Sequence, residues 1–301
     1  MSGNEVHPDL RRIAVVTPRQ LVGPRTLPVM RALIVVAGLR MSRTPPDIEV
    51  LTLESGVGVR LYRPAGSNEP APALLWIHAG GYVMGTAQQD DRLCLRFSSR
   101  LGITVASVDY RLAPENPYPA ALGDCYSALT WLASLPAVDP ARVAIGGASA
   151  GGGLAAALAL LARDRGGITP AFQLLVYPRL TQPSIAPANP HYRLWNGRAN
   201  RFGWRAYLGD ADARVAVPGR RDDLGGLAPA WIGVGTHDLL HDEDLAYAER
   251  LTAAGVPCQV EVVEGAFHGF DRVAPNVGVS QRFFTSQCNS LRAALALSNR
   301  T

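Results

Sequence analysis

Arg142-Val143-Ala144-Ile145-Gly146-Gly147-Ala148-Ser149-Ala150-Gly151-Gly152-Gly153-Leu154 is the stretch that decides how this chain is read. Residues 142–146 are an apolar, β-branched run of strand type, and residues 151–163 are a Leu/Ala-rich helix. Between them lies G-x-S-x-G, Gly147 to Gly151. Strand, sharp turn and helix form the context in which that pentapeptide lifts a serine hydroxyl above a sheet. The turn strains the serine backbone, so the residues two before and two after it must be small. The helix N-terminus behind Ser149 supplies unpaired N–H groups and positive dipole where an oxyanion would develop. A dinucleotide-binding loop is the alternative for a Gly-rich helix entry. It would follow the first strand and lead to an acidic ribose ligand, whereas this stretch lies mid-chain.

The same alternation runs outward from Ser149. Residues 50–53 and 57–62 flank a glycine-containing turn and read as a hairpin. Further strands are expected at 73–78, 103–109, 172–177, 230–235 and 259–263, with helices at 92–101, 120–135, 242–254 and 279–297. Apolar strands alternating with helices imply an α/β fold around a mostly parallel sheet buried on both faces. Active sites of such sheets form where strands end and loops begin. Two stretches break the alternation, residues 1–46 and 181–224. Connections of about 4–6 residues are usual in compact domains, and long interruptions are commonly lids or binding loops. A disordered N-terminus is the rival reading for residues 1–46.

A serine hydroxyl needs a base, and six histidines are available. His268, in Gly265-Ala266-Phe267-His268-Gly269-Phe270, follows the last expected strand. Asp238 follows the strand at 230–235 and precedes His268, which gives the chain order Ser, Asp, His. Asp242, Glu243 and Asp244 compete with Asp238 as the carboxylate that orients the base. An oxyanion needs preorganised donors, and the glycines of His78-Ala79-Gly80-Gly81-Tyr82 follow the strand at 73–78.

Composition narrows the remaining classes. All 29 basic residues are arginine, so no P-loop lysine, Schiff-base lysine or Ser-x-x-Lys hydrolase is available. Cys94, Cys125, Cys258 and Cys288 form no CxxC pair and read as free thiols rather than a zinc site. No apolar run reaches the ~20 residues that span a bilayer, and the first residues lack signal-peptide character. No membrane insertion and a cytoplasmic location are therefore expected. Residues 1–46 carry seven Arg against Glu5 and Asp9, and residues 181–224 carry seven Arg against four Asp. Neither forms the dense basic stripe with a recognition motif that nucleic acid requires, and no nucleic-acid partner is expected. At 301 residues with 48% hydrophobic content, one large domain with a smaller lid is expected.

Over residues 45–295 the chain resembles the bacterial hormone-sensitive-lipase-like carboxylesterases of the α/β-hydrolase superfamily. His78–Tyr82 resembles that family's H-G-G-G-[FY]. Asp109-Tyr110-Arg111-Leu112-Ala113-Pro114-Glu115 resembles D-Y-R-L-A-P-E, Gly147–Gly152 resembles G-D-S-A-G-G, and Asp238–Glu243 and His268–Phe270 resemble D-P-L-x-D-E and H-G-F. The chain departs from these motifs at Ala79, at Ala148 and in lacking a proline after Asp238. The resemblance implies a catalytic Ser149, Asp238 and His268, with oxyanion donors from Gly80, Gly81 and Ala150. It implies an α/β-hydrolase domain at 47–180 and 225–301. The cap would combine an N-terminal part at 1–46 with an insertion at 181–224. It further implies hydrolysis of short- to medium-chain acyl esters through an acyl-enzyme, without metal or organic cofactor. Lactones, amides or carbamates are the alternative substrates, and a non-catalytic small-molecule receptor is the alternative outside enzymes. Tyr82, Trp195, Phe202, Trp204, Tyr207 and Leu239 are candidates for a substrate pocket, with packing inside the cap as the other reading. The cap arginines suggest tolerance of anionic esters, and an exposed edge strand would suit a homodimer.

Overall fold

Strands that are apolar without alternation must be covered on both faces, and one sheet accommodates all of them. The computed structural model describes residues 5–20, 22–40, 48–64, 70–181 and 189–297. Its strands are β1 (Ile48–Thr52), β2 (Gly58–Tyr62), β3 (Ala71–Ile77), β4 (Thr104–Asp109), β5 (Val138–Ala148), β6 (Phe172–Val176), β7 (Ala230–His237) and β8 (Cys258–Phe267). They lie in the order β1-β2-β4-β3-β5-β6-β7-β8. The expected hairpin is the antiparallel pair β1–β2, and β2 is antiparallel to β4. Every later pairing is parallel.

The helices are α1 (Arg11–Val16), α2 (Leu27–Arg40), α3 (Asp91–Leu101), α4 (Ala120–Ser134), α5 (Ala150–Arg165), α6 (Gly197–Leu208), α7 (Ala213–Ala216), α8 (His241–Ala253), α9 (Phe270–Val273) and α10 (Gly278–Ala294). Two cores result. On one face, Leu75 and Ile77 of β3 pack with Leu129 of α4, Leu158 of α5 and Leu251 of α8. On the other, Leu74 and Trp76 pack with Phe97 of α3 and Phe283 of α10. The period-2 alternation of β3 thus feeds both cores at once. Cys94, Cys125 and Cys288 are buried free thiols and Cys258 is a half-buried one. Among the described residues, no helix is long and apolar enough to cross a membrane.

The two stretches that broke the pattern come together. Arg193 Nε donates to Ala14 O at 2.7 Å, and Leu194 N to Pro18 O at 2.8 Å. Parts of both stretches, residues 1–4, 21, 41–46 and 182–188, lie outside the described residues. Helix α6 was not legible in residues 181–224 because its arginines obscure the apolar face. Arg198, Arg201 and Arg205 point to solvent, while Ala199, Asn200, Gly203, Trp204 and Tyr207 are buried. Asn196 caps it, its side chain accepting from the N–H groups of Arg198 and Ala199.

Candidate active site

Ser149, Asp238, His268 and the glycine loop each sit at the C-terminal end of a parallel strand. Ser149 lies between β5 and α5 with φ 56° and ψ −116°, a positive φ that costs a non-glycine residue about 1–3 kcal/mol. Its neighbours hold it there. Ser149 N donates to Val176 O at 2.9 Å, and Ser149 O accepts from Gly153 N and Arg179 N at 3.0 Å each. The glycines of the pentapeptide are required by contact. A Cβ on Gly147 would come within 2.5 Å of Gly151 O, and one on Gly151 within 2.0 Å of Ile77 O.

His268, just past β8, places Nε2 2.9 Å from Ser149 Oγ and Nδ1 2.8 Å from Asp238 Oδ2. All three side chains are buried. Asp238, just past β7, is fixed in turn by Leu240 N, which donates to its Oδ1 at 3.0 Å. The competing carboxylates lie elsewhere. Asp242 is solvent-facing beside His241. Glu243 accepts from Leu180 N, Thr181 N and Thr181 Oγ1, and burial pushes it up to about 7. Asp244 is buried with neither oxygen hydrogen-bonded, and burial pushes it well above the usual carboxylate range. Among the described carboxylates, only Asp238 hydrogen-bonds His268.

The loop after β3 is bent by three successive positive φ angles, at Gly80 (143°), Gly81 (65°) and Tyr82 (70°). Its carbonyls are all taken. Gln89 Nε2 donates to Ala79 O, Val83 N and Met84 N to Gly80 O, Arg179 to Gly81 O, and Ala113 N to Tyr82 O. Among the described residues the N–H groups of Gly80 and Gly81 donate to no protein acceptor. Ala150, first in α5, has no acceptor within its own helix. The departures from the family motifs leave this intact. Ala79 lines the cavity above the serine, and Ala148 ends β5 inside the core.

Sequence reading missed Arg179, three residues past β6. Its guanidinium is fully buried without a hydrogen-bonded carboxylate. It donates to Gly81 O at 3.0 Å and to Asn200 Oδ1 and O of α6 at 3.0 Å each. The rings of Tyr82, Trp195 and Trp204 surround it at 4.6, 4.9 and 4.8 Å. Burial pulls it down to about 10. One side chain therefore ties the glycine loop to α6, while its backbone N–H ties into the serine turn. Its position just past a strand was the available signal.

A cavity of about 150 Å³ opens over Ser149, lined by Ile34, Met84, Tyr177, Leu194, Trp195, His268 and Arg272 among others. Of the pocket candidates Trp195 lines it, its ring seated against Gly81. Tyr82, Trp204 and Tyr207 do not; their rings pack against one another, and those of Tyr82 and Trp204 also face the buried Arg179. Phe202 and Leu239 pack against the small core around Trp195. The arginines of residues 181–224 do not line it either. The lining arginine is Arg272 of α9.

Comparisons with known proteins show the fold family. A family model described as the alpha/beta hydrolase fold matches residues 74–272. Esterase LipI of Mycobacterium tuberculosis is 39% identical over 243 residues, covering 75% of this chain and 76% of that protein. An ethyl acetate hydrolase of Pseudomonas putida is 36% identical, over 71% of each. The solved structure of a bacterial heroin esterase superposes with a TM-score of 0.87 at 32% identity, covering 98% of this chain and 99% of that one. With its strand order, its serine turn and these relatives, the chain belongs to the α/β-hydrolase fold family, in the hormone-sensitive-lipase-like branch of esterases.

Proposed function

We propose that the protein is a serine carboxylesterase acting on short- to medium-chain acyl esters through an acyl-enzyme. The observation that carries this reading is the hydrogen-bonded chain Ser149–His268–Asp238, at 2.9 and 2.8 Å. His268 takes the Ser149 proton as Oγ attacks the ester carbonyl, then passes it to the leaving alcohol. Asp238 holds the imidazole in the tautomer this requires and stabilises its protonated form. The tetrahedral oxyanion receives the N–H groups of Gly80, Gly81 and Ala150. Water then attacks the acyl-enzyme with His268 as base, releasing the acid and restoring the serine.

The stretches 1–46 and 181–224 act as a cap over the domain formed by 47–180 and 225–301. Within that cap Trp195 and Ile34 bound the cavity, and its 150 Å³ favours small acyl groups. Arg179 is a positioning residue, holding the Gly81 carbonyl so that the glycine loop keeps its donors aimed at the serine. The edge of β8, with Val260 and Val262 exposed, supports a homodimer.

The test is an aryl-ester series of rising acyl length, run beside labelling with a fluorophosphonate probe. Labelling at Ser149 with turnover that peaks at short acyl chains is expected. A chain that neither labels nor turns over esters would favour a receptor. Faster turnover of lactones, amides or carbamates would move the substrate class.

A further inference from the structure

The cavity over Ser149 shares two of its lining residues with a second opening. Gln89 and Arg272 line both, the second being an adjoining groove of about 280 Å³ between α3 and α9–α10. That groove is walled by Arg92 and Arg96 of α3, and by Asn276 and Phe284. It thus carries three guanidinium groups, one of them at the junction with the catalytic cavity.

The acidic groups present cancel this charge only in part. Asp90 is buried and spent inward, in an ion pair with Arg272 at 2.5 Å and accepting from Trp76 Nε1 at 2.8 Å. Asp271 is half-buried and accepts from Tyr177 OH at 2.8 Å, and desolvation pushes its carboxyl up toward the neutral form. Burial works against the charge on Arg272, but Asp90 and Tyr177 outweigh it and hold the guanidinium above its ordinary range.

The arginines keep donors to spare. Arg272 has five N–H donors and, among the described residues, no hydrogen-bond acceptor beyond its contact with Asp90. Arg96 places its Cζ over the Phe284 ring, 3.9 Å from the centroid, and gives one N–H to Gln281 Oε1 at 3.1 Å. Arg92 is exposed and, among the described residues, makes no ion pair or hydrogen bond. Guanidinium forks beside such a groove match the planar, two-oxygen geometry of a carboxylate.

We propose that this groove is an anion subsite, taking the carboxylate of an ester whose scissile carbonyl lies at Ser149. Arg272 meets the anion at the junction, and Arg92 and Arg96 meet it farther along. The substrate class becomes esters bearing a carboxylate, with selectivity set by the sheet domain rather than by the arginines of residues 181–224. This deepens the esterase reading and rests on it.

The experiment compares matched esters on the full-length enzyme. One pair is 4-acetoxybenzoate against 4-acetoxybenzamide, which places the charge on the alcohol side. The other is the p-nitrophenyl monoester of glutarate against p-nitrophenyl butyrate, which places it on the acyl side. At low ionic strength the anionic member of one pair should be favoured about tenfold in kcat/KM, and added salt should erode that ratio. In Arg92→Glu, whose side chain bonds to nothing that folding needs, and in Arg92→Glu/Arg96→Gln, the anion-to-neutral ratio should fall to about one. Equal turnover of both members in both pairs overturns the subsite while leaving the esterase reading in place. So does a preference that survives Arg92→Glu/Arg96→Gln. Failure to hydrolyse either member of either pair overturns both.

Discussion

Ser149 has two very different surroundings. Below it, the serine turn is buried, the glycine loop is half-buried to buried, and the loop carbonyls from Ala79 to Tyr82 are all hydrogen-bonded. Above it, α2 presents Ile34 to the cavity but leaves Val29, Leu33 and Val36 exposed on the far side, at i, i+4 and i+7. Arg31 is the polar tie between α2 and the sheet domain, donating to Val83 O and Ala113 O at 2.7 Å and pairing with Glu115. Chemistry that depends on tenths of an ångström is built where sheet, helix and loop over-determine each backbone atom. In the proposed mechanism, substrate access would fall to a segment held by few contacts, the kind of region that opens at low free-energy cost. The lower region should govern kcat and the upper one KM.

The strongest test of that division is Ser149→Ala, which should lower kcat/KM for an aryl ester by at least about 10⁴-fold with the fold retained. Circular dichroism beside the kinetics separates that from misfolding, and ester turnover near the wild-type rate would end the proposed mechanism. Next in size is Arg179→Met, expected to cut kcat by about tenfold to a hundredfold with KM nearly unchanged. Rates are normalised to sites labelled by a fluorophosphonate, so loss of folded enzyme alone would not alter them. Partial recovery in Arg179→Lys would support positioning by charge and hydrogen bond. Arg31→Ala should do the reverse, raising KM about threefold with kcat retained, because it loosens α2. A fall in kcat instead would blur the two regions into one.

The smallest effect concerns pH. His191 of the insertion stacks on the buried His237 beside Asp238, with ring centroids 4.4 Å apart. Burial, then His237, Arg193 and Arg19, hold the His191 imidazole below its ordinary value of 6.5. The unpacked ring therefore takes a proton first as pH falls. Its contribution to docking is intact above 6.5 and lost as pH drops through the lower, packed value. KM should rise about twofold on acidification below that point, and His191→Phe should flatten the rise. An unchanged profile in that variant would remove His191 from the docking of the insertion.

The contrast between regions also explains what was legible. The pentapeptide around Ser149, the glycines at 80 and 81, Asp238 and His268 are readable because each is tied to a strand end, and strand ends follow from period and length. Helix α6 was not readable, since Arg198, Arg201 and Arg205 dominate its composition while its buried face is assembled from Gly203, Trp204 and Tyr207. Trp195 and Trp204 are equally plausible as pocket residues in sequence. They separate only in space: both rings face Arg179, but only Trp195, seated against Gly81, also lines the cavity.

By itself, then, the sequence determined the parallel α/β sheet, the serine turn and the order of the residues around it. These are local properties, set by hydrophobic period and by glycines that no Cβ could replace. Only the tertiary structure decided which carboxylate reaches His268, which aromatic faces the cavity, and that Arg179 and Arg272, rather than the arginines of residues 181–224, stand nearest the serine. Those outcomes depend on side-chain direction and on pairings across about a hundred residues or more, such as Arg179 with Gly81 and Arg272 with Asp90. No period or spacing in a single chain encodes them.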